Sequence, residues 1–240
     1  MIFINIIVDN INISYIEKGT GQPIILLHGW GQTKETFNDL INSLCEEYKV
    51  IAIDLPGFGD TEIGVPLDLF SVAELIYHFV EQMNIKKPIM IGHSYGARIV
   101  SIYGSKYNVS KIVIISGAGI KQKISIINRL KIRIYKFFKK RNIILKLGSK
   151  DYINSDNVKR SMLVNAINTD LSKELTTISV PTLLIYGKND KVTPLDLGYK
   201  MKNKIKYSEL IEVEDCGHFP YIEKPTIFRL ILNSFLVSDN

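Results

Sequence analysis

The sequence predicts an α/β fold: a mostly parallel central sheet with helices on both faces and a short helical insertion between core strands. Three observations predict it. Short apolar runs alternate with segments of helical periodicity along most of the 240 residues. The runs are apolar at nearly every position, as strands covered on both faces require. Length and composition, with 46% hydrophobic and 22% charged residues, are those of one globular domain with a full core.

The elements follow in order. Met1 to Asp9 is apolar but has neither a basic start nor a small-residue cleavage site, so it reads as a strand, followed by a second from Ile11 to Ile16. Ile24 to Leu27 is a strand, Lys34 to Glu46 a helix, Lys49 to Ile53 a strand and Ser71 to Met83 a helix. Pro88 to Ile91 is a strand, Tyr95 to Tyr107 a helix and Lys111 to Ile115 a strand. The pattern resumes with a strand from Pro181, a helix near Pro194 to Lys202, a strand from Glu209 to Val213 and a helix near Thr226 to Leu236.

Between these two blocks the alternation stops. Residues 1–119 and 178–240 therefore read as the core, and 120–177 as an inserted helical cap. Residues 121–150 hold eleven Lys and Arg and no Asp or Glu. The whole chain carries +6, so the remainder sums to −5 and the basic character belongs to the insertion. Ile127, Leu130, Ile134, Phe137, Phe138 and Ile144/Leu145 recur in steps of three and four, while Arg129, Arg133, Lys136 and Lys140 step along another face. That is an amphipathic helix. Two readings stay open: a cap with a solvated basic outer face, or a cationic surface that attracts an anionic substrate or an anionic membrane. No nucleic-acid-binding module is recognisable, so no nucleic-acid partner is expected.

The chemistry is concentrated at strand ends. Gly92-His93-Ser94-Tyr95-Gly96 directly follows an apolar run and matches Gly-x-Ser-x-Gly, a strained strand-to-helix turn that exposes a serine hydroxyl. A serine hydroxyl is a weak nucleophile and needs a base, itself oriented by a carboxylate. Asp190 follows the Pro181 strand and His218 follows the Glu209 strand, giving the chain order Ser94, Asp190, His218. Asp54 is the rival carboxylate, also at a strand end.

With these motifs, with Leu27-His28-Gly29-Trp30-Gly31 and with Asp54-Leu55-Pro56-Gly57-Phe58-Gly59, the chain resembles the α/β-hydrolase family over roughly residues 12 to 237. The resemblance implies Ser94 as nucleophile, His218 as general base and acid, and Asp190 as its orienting group, in preference to Asp54. It implies an oxyanion hole from the backbone N–H groups of Trp30 and Tyr95, both also substrate-binding candidates. Ala97 stands where many members carry a second glycine, and alanine is small enough for close helix–strand approach. Members that act on haloalkanes or epoxides carry aspartate at the elbow, so serine implies acyl chemistry.

The function expected is therefore a serine carboxylesterase acting on small to medium esters, with no cofactor and a small-molecule ester as partner. Three alternatives stay open: a carbon–carbon bond hydrolase or menaquinone-pathway-like lyase on an anionic substrate, a slow-turnover ligand receptor, and a protein associated weakly with anionic membranes through its basic cap. His28 and His93 read as structural, His78 as irrelevant, and Arg98 as structural or facing a substrate carboxylate. The four histidines show no metal-ligand spacing, so no metal is expected. Cys45 and Cys216 give no disulfide framework, and no apolar stretch reaches the ~18–20 residues of a membrane span, which together lead us to expect a cytoplasmic protein.

Overall fold

The structure is a computed structural model and describes residues 2–121, 151 and 155–238. The amphipathic stretch expected within 122–150 lies outside the described residues.

Eight strands form one sheet: β1 (Ile2–Val8), β2 (Ile11–Lys18), β3 (Gln22–Leu27), β4 (Tyr48–Ile53), β5 (Ile89–His93), β6 (Lys111–Ile115), β7 (Thr182–Gly187) and β8 (Ser208–Val213). Their order across the sheet is β1-β2-β4-β3-β5-β6-β7-β8. β1 pairs antiparallel with β2, and β2 with β4; every other pairing is parallel. The β1–β2 turn uses Asp9 and Asn10, both at positive φ (48° and 63°), the backbone that a tight two-residue hairpin requires.

Among the described residues the helices are α1 (Asn38–Leu44), α2 (Leu69–Gln82), α3 (Tyr95–Lys106), α4 (Asn157–Asn168), α5 (Ser172–Thr177), α6 (Leu195–Lys202), α7 (Pro220–Glu223) and α8 (Pro225–Val237). Asp68 caps α2 by accepting from the Ser71 N–H (2.8 Å), and Asp156 caps α4 through the Lys159 N–H (2.8 Å). Proline opens both α7 and α8, where its missing N–H costs nothing.

Side-chain alternation along the strands divides the core in two. Ile25, Leu27, Ile51, Ile53 and Met90 face α2 and α3. Ile24, Leu26, Val50, Ala52, Ile89 and Ile91 face α1 and α8. Leu171, Leu175 and Ile178, around α5, are buried in the first of these clusters. The segment that ends the insertion is thus packed into the main core.

One expected helix is broken. Lys34 to Phe37 forms a 3-10 turn and only Asn38–Leu44 is α-helical. The reason is Asp54, fully buried after β4. It accepts from the Lys34 backbone N–H (2.7 Å) through one oxygen and from Lys34 Nζ (2.6 Å) and the Asp60 N–H (2.9 Å) through the other. Burial opposes the Lys34 charge, but its bonds to Asp54, Asp60 and Glu35 outweigh this and raise its pKa. Removing one member of a buried pair strands the other in a low dielectric. Lys34→Met is therefore expected to lower the unfolding free energy by about 3 kcal/mol. Urea denaturation of the variant measures it, and a loss below about 1 kcal/mol would show that the pair is energetically neutral.

Candidate active site

Ser94, Asp190 and His218 all lie just beyond the carboxyl ends of parallel strands: β5, β7 and β8. Ligands of open α/β sheets bind at that edge. Ser94 adopts φ 50° and ψ −100°, a conformation that costs an ordinary residue about 1–3 kcal/mol. Its own N–H donates to the Ile115 carbonyl at the end of β6 (3.0 Å), and the Gly96 N–H donates to the His28 carbonyl beyond β3 (3.0 Å). Those bonds hold the turn between its two neighbouring strands. Glycine is required on both sides. A Cβ at position 92 would lie 2.5 Å from the Gly96 carbonyl oxygen, and one at 96 would overlap the Leu27 carbonyl.

Asp190 and His218 are joined directly. His218 Nδ1 lies 2.7 Å from Asp190 Oδ2. A carboxylate only accepts, so the proton sits on Nδ1 and leaves the Nε2 lone pair free. Asp190 Oδ1 accepts from the N–H groups of Val192 (2.8 Å) and Thr193 (2.9 Å), and Oδ2 also lies 2.7 Å from Thr193 Oγ1. Burial alone would raise the Asp190 pKa. The bonds from His218 and Thr193 overcome it and hold the carboxyl at about 2. Ser94 Oγ makes no hydrogen bond among the described residues, so the third link, between Ser94 and His218 Nε2, is open in this conformation. Catalytic bonds often close only around substrate.

Trp30 and Tyr95 meet edge to face, with ring centroids 5.2 Å apart, and Phe58 packs on Trp30 at 4.9 Å. Neither the Trp30 nor the Tyr95 backbone N–H has a hydrogen-bond acceptor among the described residues, and Tyr95 opens α3, where the helix dipole favours negative charge. The Pro56–Gly59 turn therefore supplies an aromatic wall beside these two donors.

The remaining candidates separate by their partners. Asp54 belongs to the Lys34 pair and is remote from His218 in the hydrogen-bond network. His28 accepts from the Leu55 N–H through Nε2 (3.0 Å) and donates from Nδ1 to the Gly29 carbonyl (2.8 Å). Burial lowers its pKa to about 4, so it is a neutral connector between two loops. His78 pairs with Asp9 at the surface. Burial pushes the Cys216 thiol up to about 11, which removes it as a nucleophile near neutral pH. Arg98 lies one turn below Ser94 on α3. It is half-buried, with no hydrogen-bond or ion-pair partner among the described residues; desolvation lowers its pKa, against the opposing effect of Tyr95 and Tyr186. Among the described residues no group of three or more His, Cys, Asp or Glu forms a metal-binding cluster.

Three contributors were not anticipated. Thr193 touches Asp190, approaches His218 Nδ1 (3.2 Å) and reaches the Ser116 carbonyl (3.0 Å). Gln32 and Tyr221 meet His93 behind the site. The only local signal was Asp190-x-x-Thr193, in which a threonine sits within turn distance of the carboxylate.

Asp190 makes a pH prediction. Its folded pKa lies below the ordinary carboxylate value, so its ionisation contributes stability above about pH 4 that is lost as pH falls through about 2. The stability difference between wild type and Asp190→Asn is expected to be about 2 kcal/mol at pH 7 and to shrink steadily between about pH 4 and pH 2. A difference that stays flat over that range, measured by urea denaturation, would contradict the ionised, bonded carboxylate.

Comparison with known proteins agrees with the fold. Residues 24–229 match the sequence model of the Alpha/beta hydrolase family. The AB hydrolase superfamily protein YisY of Bacillus subtilis (strain 168) is 26% identical, aligned over 90% of this chain and 92% of the relative. The 2-hydroxy-6-oxo-6-(2'-aminophenyl)hexa-2,4-dienoic acid hydrolase of Metapseudomonas resinovorans is 29% identical over 92% of this chain and 86% of the relative. Among solved structures, the esterase EaEST from Exiguobacterium antarcticum superposes with a TM-score of 0.80 at 23% identity, covering 98% of this chain and 99% of that one. With a family match spanning most of its length, an eight-stranded sheet of this order and a serine at the strained turn, the chain belongs to the alpha/beta hydrolase family.

Proposed function

We propose that the protein is a serine hydrolase of carboxylic esters, with Ser94 as nucleophile, His218 as base and acid, and Asp190 as the group that orients His218. The observation that carries this reading is the strained, outward-turned Ser94 at one strand end with a hydrogen-bonded Asp190–His218 pair two and three strands along the same edge.

The reaction follows from these positions. Ser94 Oγ rotates towards His218 Nε2, gives up its proton and attacks the carbonyl carbon. The imidazolium that forms is stabilised by Asp190, whose carboxylate stays ionised. The oxyanion is received by the N–H groups of Trp30 and Tyr95; loss of one such donor costs about 3–4 kcal/mol in comparable sites. The alcohol leaves with the proton from His218. Water, activated by the same imidazole, then releases the acid. Trp30, Tyr95 and Phe58 offer an aromatic surface for the apolar part of an ester.

In our reading residues 120–177 are an inserted cap, and the eleven basic residues of 121–150 are either solvated or attract an anionic substrate or an anionic membrane. No helix among the described residues is long and apolar enough to cross a membrane. A cytoplasmic location accords with two free cysteines.

A second reading is favoured by one observation. Arg98, one turn along α3 from Ser94, holds a partly desolvated guanidinium with no carboxylate partner among the described residues. A substrate carboxylate would supply the missing charge. That suits carbon–carbon bond hydrolysis of an anionic substrate, and a relative is named for a dienoic acid.

Turnover of p-nitrophenyl esters of graded acyl length separates the two. Clear ester hydrolysis that falls by at least ~1,000-fold in Ser94→Ala supports the esterase. A folded wild type that leaves neutral esters untouched but cleaves carboxylate-bearing substrates would overturn it in favour of the second reading.

A further inference from the structure

The residue before the nucleophile has bonding that no catalytic role assigned above requires. His93 is buried and ends β5, directly before Ser94. Its Nε2 lies 2.9 Å from the backbone carbonyl of His218. Its Nδ1 lies 2.9 Å from Gln32 Oε1, which also accepts the Gly29 N–H at 3.0 Å. Gln32 Nε2 donates onward to Thr36 Oγ1 (2.8 Å) and Tyr221 Oη (3.2 Å). One imidazole therefore touches two loops at once. One loop carries His218. The other, Gly29 to Gln32, carries Trp30.

The sites joined are far apart in sequence: His93 and Gln32 are separated by 61 positions, and His93 and His218 by 125. Packing reinforces the link, since the His93 ring lies 4.8 Å from the His218 ring and 5.0 Å from Phe219. Burial holds His93 well below the usual histidine range, so it is neutral and carries one N–H. That N–H goes to the His218 carbonyl, so Nδ1 can only accept. It accepts from the Tyr221 hydroxyl at 3.5 Å, which in turn accepts from Gln32 Nε2 at 3.2 Å. The hydrogen-bonded link to the Gln32 loop therefore runs through Tyr221, while Gln32 Oε1 packs against the ring. The arrangement has little slack. A shift of the His218 loop moves the ring, and the ring moves Gln32 and the amide of Gly29.

We propose that His93 is a positioning residue that couples the loop bearing the base, His218, to the loop bearing the oxyanion donor, Trp30, so that a single buried side chain sets both against Ser94. The inference rests on the roles proposed for those residues. It predicts that the two loops loosen together when the ring loses its nitrogens.

The test compares His93→Phe, which keeps a planar ring without hydrogen bonds, with His93→Gln, whose amide restores a donor. Hydrogen–deuterium exchange needs no substrate and so reads the coupling independently of the ester reading. His93→Phe is expected to speed exchange at least tenfold in both segments 28–33 and 214–220, with α2 and α8 unchanged, and His93→Gln to recover part of the protection in both. With an ester substrate, kcat is expected to fall at least tenfold in His93→Phe while KM stays within about threefold, because positioning acts on the transition state. Faster exchange in only one segment, or in neither, would overturn the coupling. Should His93→Phe fail to fold, Gln32→Leu breaks the same bridge from its other end and is expected to give the same paired change; a change confined to 28–33 would overturn the proposal. A wild type without ester turnover would defeat the ester reading alone, and exchange would still decide this one.

Discussion

The site depends on the backbone of Ser94. A serine at φ 50° is intrinsically unfavourable, and the turn exists because the surrounding chain leaves it nowhere else to go. Two hydrogen bonds, to Ile115 and His28, hold the turn to the strands on either side. Two glycines allow the helix to approach β3 and β5 closely enough for those bonds to form. The parallel sheet is the prerequisite, because it sets β3, β5 and β6 side by side with their carboxyl ends level. From that geometry follow the outward serine, the helix dipole beneath it and the free amide of Tyr95.

The second layer of the design is electrostatic. A buried carboxylate is unstable unless it is bonded, and Asp190 accepts from His218 Nδ1 and from the N–H groups of Val192 and Thr193. The Thr193 hydroxyl, whose one proton it shares with the Ser116 carbonyl, is also within reach. The outcome is an anion that fixes the imidazole's proton on Nδ1 and leaves Nε2 basic. Asp54, equally buried, is neutralised by Lys34 and serves the loop after β4. The two aspartates show how the same residue type at two strand ends is directed to different work by what lies beside it. In the proposed reaction one faces a histidine that becomes cationic; the other faces a lysine that is cationic already.

Much of this was legible in the sequence. Apolar runs gave the strands because both faces of a parallel sheet are buried. Gly92-x-Ser94-x-Gly96 was legible because the turn restricts residue type so severely. Asp190 and His218 were legible by order and by following strands. Lys34 was not: it stood only as the first residue of an expected helix, and only the fold brings Asp54 to it. Thr193 and Gln32 were missed for a related reason. Threonine and glutamine are common in turns, and nothing local reveals that one bridges Asp190 to Ser116 and the other joins His93 to Gly29. His93 was read as structural, which its bonds bear out while adding that they reach two loops.

The account's central claim is that Ser94 is a nucleophile activated by His218, and covalent trapping tests it most directly. A fluorophosphonate should add once to the folded protein, the adduct should map to Ser94 by peptide mass, and labelling should vanish in Ser94→Ala and slow at least ~100-fold in His218→Ala. Labelling at another residue, or a rate indifferent to His218, would contradict it.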